Sequence, residues 1–451
     1  MASYLYEDIP IDPNLDHPDS AIRLASCVHR FKVPKISDRS LSFVKSFETV
    51  GKHGKTKKCL LQADESRVRL KEACESAKIS AERVTNEAQR YIPLIHNILT
   101  SCKVQPEMAR LDQKLLFEWM SGIEAKPTVT ESSKKKKKSP VIQGPSWFVS
   151  EAIMYDLTMA IACEALGRAA AATENSMAGE FAAASRDYAA AAGIMEFLYK
   201  DHLPKWVSKG SNVQPSQLPS ECHVAATQAL QQLFMANGQQ MAVTTVLMKP
   251  GKPNYSLLAK LCLGIADQLE EFMSILRKSA NEAKLRMDSD FFTLMAFQIA
   301  IQKSLSLYFQ GRAAWDKDDH GVAIALMSEA TVAIKTRESA GAKGVPDIST
   351  TASMNPLKKD LNDLRQHMGQ VLHTWEKDNS AVYFAAVPQH LSAEKKLQKG
   401  LQMNKSTPYK LQDAEPLLLV LPEGALQRSD SDLARELQEK LNAGEDVGEF
   451  M

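Results

Sequence analysis

No closely spaced cysteines, no excess charge of either sign and no long apolar run occur in this 451-residue chain. Its seven cysteines, Cys27, Cys59, Cys74, Cys102, Cys163, Cys222 and Cys262, are scattered, so neither a zinc motif nor a redox pair is spelled out. An odd, dispersed set fits reduced thiols in a cytosolic protein. Lys+Arg 55 against Asp+Glu 54 leaves a formal charge of +1, which excludes a global field for nucleic acid or an acidic membrane. Any such contact has to come from a local patch. The longest apolar run, Leu417 to Leu421, is much too short to span a bilayer, and the first thirteen residues carry Glu7, Asp8 and Asp12 where a secretory leader needs basic and apolar character. The expected location is cytoplasmic, with peripheral recruitment as the route to any membrane.

Chemistry-bearing patterns are equally scarce. Gly51-Lys52-His53-Gly54-Lys55-Thr56 invites a phosphate-loop reading, but the first glycine of that motif belongs where Thr49 stands. It reads better as a basic turn between short strands. No Gly-x-Ser-x-Gly elbow occurs, and His367 and His373, six apart, point to different faces of a helix. The expectation is therefore no enzyme, no cofactor, no metal, no small-molecule substrate and no nucleic acid.

What the chain does have is 44% hydrophobic and 24% charged residues, enough for a large core and a soluble surface. Residues 1–61 read as irregular structure with a strand pair. Ala63 to Cys102 favours helix, with Pro93 a kink or break. Leu116-Phe117-Glu118-Trp119 alternates like a half-buried strand. Thr128 to Pro145, with five consecutive lysines from Lys134 to Lys138, reads as a disordered loop. Trp147 to Lys200 is an Ala-rich helix pair broken at Asn175 to Gly179. Pro219 to Arg277 is a second pair broken at Lys249 to Pro253, and Asp290 to Lys335 a third broken at Asp316 to Gly321. Gly167-Arg168-Ala169-Ala170 and Gly311-Arg312-Ala313-Ala314 precede breaks in the same way, a tetratricopeptide-like arrangement of hairpins. Leu357 to Glu376 forms the last long helix. Gln402 to Ser429 reads as tail, followed by a short amphipathic helix over 429–442 bearing Leu433, Leu437 and Leu441 as a docking face.

The last helix delivers the chain to Lys377-Asp378-Asn379, two residues, an aliphatic, Tyr383, three residues and Val387-Pro388, with Tyr383 expected in an extended segment. This order resembles the signature of the Bro-one (BRO) domain family in its ALIX- and BROX-like, ESCRT-associated form. The Phe117-x-Trp119 strand, Ala190-Ala191-Ala192-Gly193 and Ser256-Leu257-Leu258-Ala259-Lys260-Leu261 resemble further family segments, so the likeness runs over about Tyr91 to Tyr409.

The resemblance implies an all-α, boomerang-shaped, tetratricopeptide-like solenoid with a small β-sheet near the N-terminal part, spanning 1–400, with 401–451 as tail. It implies a non-catalytic adaptor of endosomal sorting whose concave face takes the C-terminal amphipathic helix of an ESCRT-III subunit. It also implies peripheral association with endosomal membrane. By motif match Leu257, Lys260, Leu261 and Ala242 fall on that contact surface. The plain alternative is that both leucines are core. A stripe through Leu258, Ile265, Leu269 and Leu276 centres almost a quarter turn from Leu257 at about 100° per residue, which puts Leu257 on the margin. Ala242 replaces a bulky family aromatic, and Ala178 and Ala182 replace an acidic residue and a lysine. Tyr155-Asp156 replaces a common Phe-Asn and keeps a polar position inside its helix pair. These departures leave a second reading, a tetratricopeptide-like scaffold that has lost ESCRT-III binding. No prenylation cysteine follows Cys262.

Overall fold

The computed structural model describes residues 11, 15, 17–77, 80–106, 111–125, 147–207, 217–335, 348 and 350–420. The lysine run at 134–138 and the segment 429–442 lie outside them. In chain order the elements are α1 (Asp19–Ser26), β1 (Lys35–Ile36), α2 (Phe43–Ser46), α3 (Gly54–Glu75), α4 (Ala81–Val104), β2 (Phe117–Met120), β3 (Phe148–Ser150), α5 (Ile153–Met177), α6 (Phe181–Phe197), α7 (Leu203–Val207), α8 (Val224–Leu247), α9 (Tyr255–Ser279), α10 (Asn281–Arg286), α11 (Ser289–Trp315), α12 (His320–Ala333) and α13 (Asn355–Asp378). The fold is mostly helical, with one small antiparallel sheet near the N-terminus.

The long helices pack in series, α3 on α4, α4 on α5, α5 on α6, α6 on α8, α8 on α9, α9 on α11, α11 on α12 and α12 on α13. Small residues make the close approach between α5 and α6 possible: Ala160, Ala165, Ala169, Ala184 and Ala191 are all fully buried. Pro93 lies within α4, which runs on unbroken to Val104 because Ser80 caps its start and its apolar face is held by its neighbours. The basic stretch at Gly51 is not a turn between strands. It leads directly into α3, and among the described residues of 1–61 the named strand is β1, whose partner is β2 far along the chain.

The sheet has the order β1-β2-β3, with Ile36 opposite Trp119 and Trp119 opposite Phe148. Alternation in β2 buries Phe117 and Trp119 completely. The Trp119 indole donates 2.6 Å to Asp156 of α5, which also accepts from Arg67 of α3 at 3.2 Å and from the Tyr91 hydroxyl of α4. Asp156 is fully buried and joins four elements, so the polar position inside the helix pair is an interior junction.

A second polar lock follows β2. Glu221 accepts from the Ser121 hydroxyl and from Gly122 N–H at 2.7 Å, while Glu124 accepts from Ser220 N–H at 2.8 Å and pairs with Arg286 at 3.4 Å. Burial, aided by the neighbouring Glu124 charge, pushes Glu221 up to about 7 from its ordinary 4.5. A carboxyl raised in the folded state favours folding while protonated, so its contribution is fully present below pH 4.5 and is lost as pH rises through 7. His29 and His202, held neutral by desolvation, act in the opposite sense, so the expected result is a difference: the melting temperature of the parent falls relative to that of Glu221→Gln over that window. Identical profiles in differential scanning fluorimetry from pH 4.5 to 8 would refute the assignment.

The described part of the segment read as tail packs along the helices. After α13 the chain turns back and runs in extended form past the helices in reverse order. Leu397 N–H donates to Gln310 of α11, Leu401 N–H to the Lys260 carbonyl of α9, Met403 N–H to Gln239 of α8 and Thr407 N–H to the Ala189 carbonyl of α6. The Tyr409 hydroxyl reaches Glu164 of α5, Leu417 N–H reaches Ser101 of α4, and Thr56 of α3 donates to the Leu418 carbonyl. Residues 397–420 are thus a strap along the helical stack, and its own Leu419 side chain is buried against the stack. Glycines in helix interiors admit it: a Cβ on Gly193 would lie 1.7 Å from the Thr407 oxygen, and one on Gly264 2.2 Å from the Leu401 oxygen.

Candidate partner-binding surface

The turn Lys249 to Pro253, with Gly251 at φ 96°, reverses the chain between α8 and α9. Asn254 then caps α9 by accepting from Leu257 N–H at 3.0 Å. This start sets the helical phase. Tyr255, Leu258 and Ala259 turn inward and are buried, whereas Leu257 remains 36% exposed and Lys260 is exposed one turn on. The stripe Leu258, Leu261, Ile265, Leu269, Phe272 and Leu276 is buried throughout, at 6% or less.

Leu257 therefore stands where a partner can reach it, and Leu261 does not. Leu261 is 6% exposed because its turn lies under the strap: Gln239 donates 2.8 Å to both the Leu261 and the Leu401 carbonyls. Ala242 is half-buried near the end of α8, and Ala178 and Ala182 are exposed around the α5–α6 turn. An apolar methyl at each of these positions puts no charge there, although Glu180 is exposed between Ala178 and Ala182.

The α8–α9 turn sits beside the α11–α12 turn. Lys252 pairs with Asp316 at 2.7 Å, and Arg312 donates 2.8 Å to the Tyr255 hydroxyl. Between them and the strap lies a cavity of about 540 Å³, bounded by Ser256, Lys260, Ala313, Lys317, Leu326 and Leu397 among others. Nothing in the sequence marks it, since its walls come from three helices and the strap.

The signature segment plays a structural part. α13 ends at Asp378, and Asn379 to Tyr383 form one wide, π-type turn, so Tyr383 is not in an extended stretch. Asn379 is buried; its side-chain amide donates 3.0 Å to the Ala385 carbonyl and its oxygen accepts from Ala385 N–H at 2.9 Å. Phe384 adopts the left-handed conformation at φ 53°, which completes the reversal and launches the strap. The Tyr383 ring packs on His320 at 3.7 Å and edge-on to Trp315, itself stacked on Trp375 at 4.5 Å. Lys377 and Val387 are exposed, and Asp378 and Pro388 half-buried.

The family model for the BRO1-like domain matches residues 63–432. The chain belongs to the BRO1-like domain family. This BRO1-like chain is 24% identical over 314 residues to the vacuolar protein-sorting protein bro1 of Emericella nidulans, covering 68% of the present chain and 28% of that protein. It is similar to the structure of ALIX in complex with the SIVmac239 PYKEVTEDL late domain, at TM-score 0.61 and 16% identity, over 92% of this chain and 54% of that one. The ALIX BRO1 CHMP4C complex gives TM-score 0.57 at 16% identity, over 86% and 98% of the two chains. A Bro1 domain described as the structural basis for endosomal targeting gives 0.62 at 14%, over 84% and 92%. The BRO1-like chain thus spans about a quarter of the curated relative and about half of the full ALIX structure. Among the described residues no helix is long and apolar enough to cross a membrane, and no three His, Cys, Asp or Glu side chains gather as metal ligands.

Proposed function

We propose that this chain is a non-catalytic adaptor of endosomal sorting and membrane remodelling. In this reading it binds the C-terminal amphipathic helix of an ESCRT-III subunit on the concave face of a tetratricopeptide-like stack, and works in the cytoplasm with peripheral recruitment to endosomes. Membership in the BRO1-like family and the likeness to the ALIX BRO1 CHMP4C complex support it. The observation that carries it on this chain is Leu257, exposed on the first turn of α9 amid buried neighbours. A lone exposed leucine beside Lys260 suits the apolar side of an incoming helix. Leu261 then contributes by holding the turn and Ala242 by leaving room beside it.

Leu257→Asp tests this. Covering a leucine contributes about 1.5–3 kcal/mol, and a carboxylate there adds a desolvation cost. A micromolar peptide complex is expected to weaken at least tenfold, read by fluorescence anisotropy with an ESCRT-III C-terminal peptide. The melting temperature should stay within a degree or two, because the side chain already meets solvent. Unchanged binding would instead favour the scaffold reading, for which Ala178, Ala182 and Ala242 speak.

A further inference from the structure

We infer that Lys260 and Lys317 form an anchor for acidic residues of the bound helix, on the α11–α12 side of Leu257. This deepens the proposed function and rests on its placing of the helix at Leu257. Both lysines are exposed, both border the 540 Å³ cavity, and neither has an ion pair among the described residues. The other cations around them are engaged: Lys395 with Asp319 at 3.4 Å, Lys396 with Glu329 at 2.5 Å and Lys252 with Asp316 at 2.7 Å. Glu394 is the single lining carboxylate without such a partner. The unpaired balance at the cavity is therefore positive.

Geometry ties this charge to the leucine. Ser256 precedes Leu257 and lines the cavity, and Lys260 follows Leu257 by three residues, so leucine and lysine share one side of α9. Lys317 faces the same space from the α11–α12 turn, which the Lys252–Asp316 pair holds against the α8–α9 turn. The cavity wall is already satisfied in its polar groups: Gln310 accepts from Leu397 N–H and donates to the Ser306 carbonyl. What the cavity offers a ligand is apolar surface, two ammonium groups and the single unpaired carboxylate of Glu394, a net positive balance. An amphipathic helix resting its apolar side on Leu257 and carrying Asp or Glu one turn further on matches that offer.

The test uses the whole chain and two forms of one ESCRT-III C-terminal helix peptide, native and with every Asp and Glu changed to Asn and Gln. Lys260→Ala/Lys317→Ala should bind the native peptide about tenfold more weakly at low salt and the amide form as the parent does. Leu257→Asp should lose both. If Leu257→Asp loses both while the lysine variant matches the parent on the native peptide, or weakens both peptides equally, the anchor is wrong and the Leu257 surface stands. If Leu257→Asp binds like the parent, or the parent binds neither peptide, the underlying reading falls with it. Melting curves of the lysine variant should match the parent, since both side chains are exposed.

Discussion

Gly264→Ala will loosen the strap, although alanine favours helix over glycine by about 1 kcal/mol. The new Cβ would lie 2.2 Å from the Leu401 oxygen and 2.7 Å from its carbonyl carbon. Both obstacles are backbone, so no rotamer change relieves the clash. Displacing this stretch breaks the bonds from Leu401 N–H to Lys260, Gly400 N–H to Asp267, Met403 N–H to Gln239 and Gln239 to the Leu401 carbonyl. At about 1 kcal/mol net for each bond, less the gain in helix propensity, local stability drops by ~3 kcal/mol. That is about a hundredfold more of the open form. Trypsin cleavage at Lys399 and Lys405, which tracks the open population when reclosing is fast, should accelerate by about that factor. An unchanged cleavage rate would show that the strap does not depend on this contact. Because the same stretch overlies the Leu261 turn, the variant should also alter peptide affinity at the α9 surface.

Asp156→Ala carries the largest expected loss of global stability. It would leave Arg67, whose side chain is 9% exposed, as a buried cation without its carboxylate, and strip the acceptor from the Trp119 indole and the Tyr91 hydroxyl. Breaking a buried pair from one side costs about 3–5 kcal/mol, and each orphaned donor adds to it. Urea unfolding should show a drop of that order, with α3, α4, α5 and β2 losing their common junction. Arg67→Met together with Asp156→Leu should recover much of the loss, since an apolar pair leaves no uncompensated charge. If the single variant unfolds like the parent, the junction contributes nothing net. Peptide binding per folded molecule should be unaffected, as Asp156 lies inside the stack, away from Leu257.

How far the sequence could be read follows from the range of the interactions involved. The three helix pairs fell at their breaks because Gly179, Lys249 to Pro253 and Asp316 to Gly321 act on their immediate neighbours. The marginal position of Leu257 followed from helical phase alone. The motif match placed Leu261 on the same surface, whereas in the structure its turn is covered by a chain segment that no period announces. Interior glycines at 193, 238, 264 and 321 were the available signal for that segment, since a glycine inside a helical pattern often marks close approach of another backbone. Tyr383 was misplaced for a related reason: the wide turn depends on Asn379 bonding Ala385 and on its packing against His320 and Trp315.

The sequence by itself determined the helical class, the Phe117–Trp119 strand, the breaks within three helix pairs and the family, because periodicity, turn residues and a spaced motif are local properties of the chain; it missed the start of α3 at Gly54 and the strand β3 ahead of α5. Only the tertiary structure decided the course of the strap, the burial of Leu261, the placing of Lys260 and Lys317 on one cavity and the four-way junction at Asp156. Each of these joins groups distant in sequence, as Thr56 and Leu418 are joined across 362 residues. Such pairings are selected by which surfaces the packed helices leave open, and that selection happens only once the stack exists.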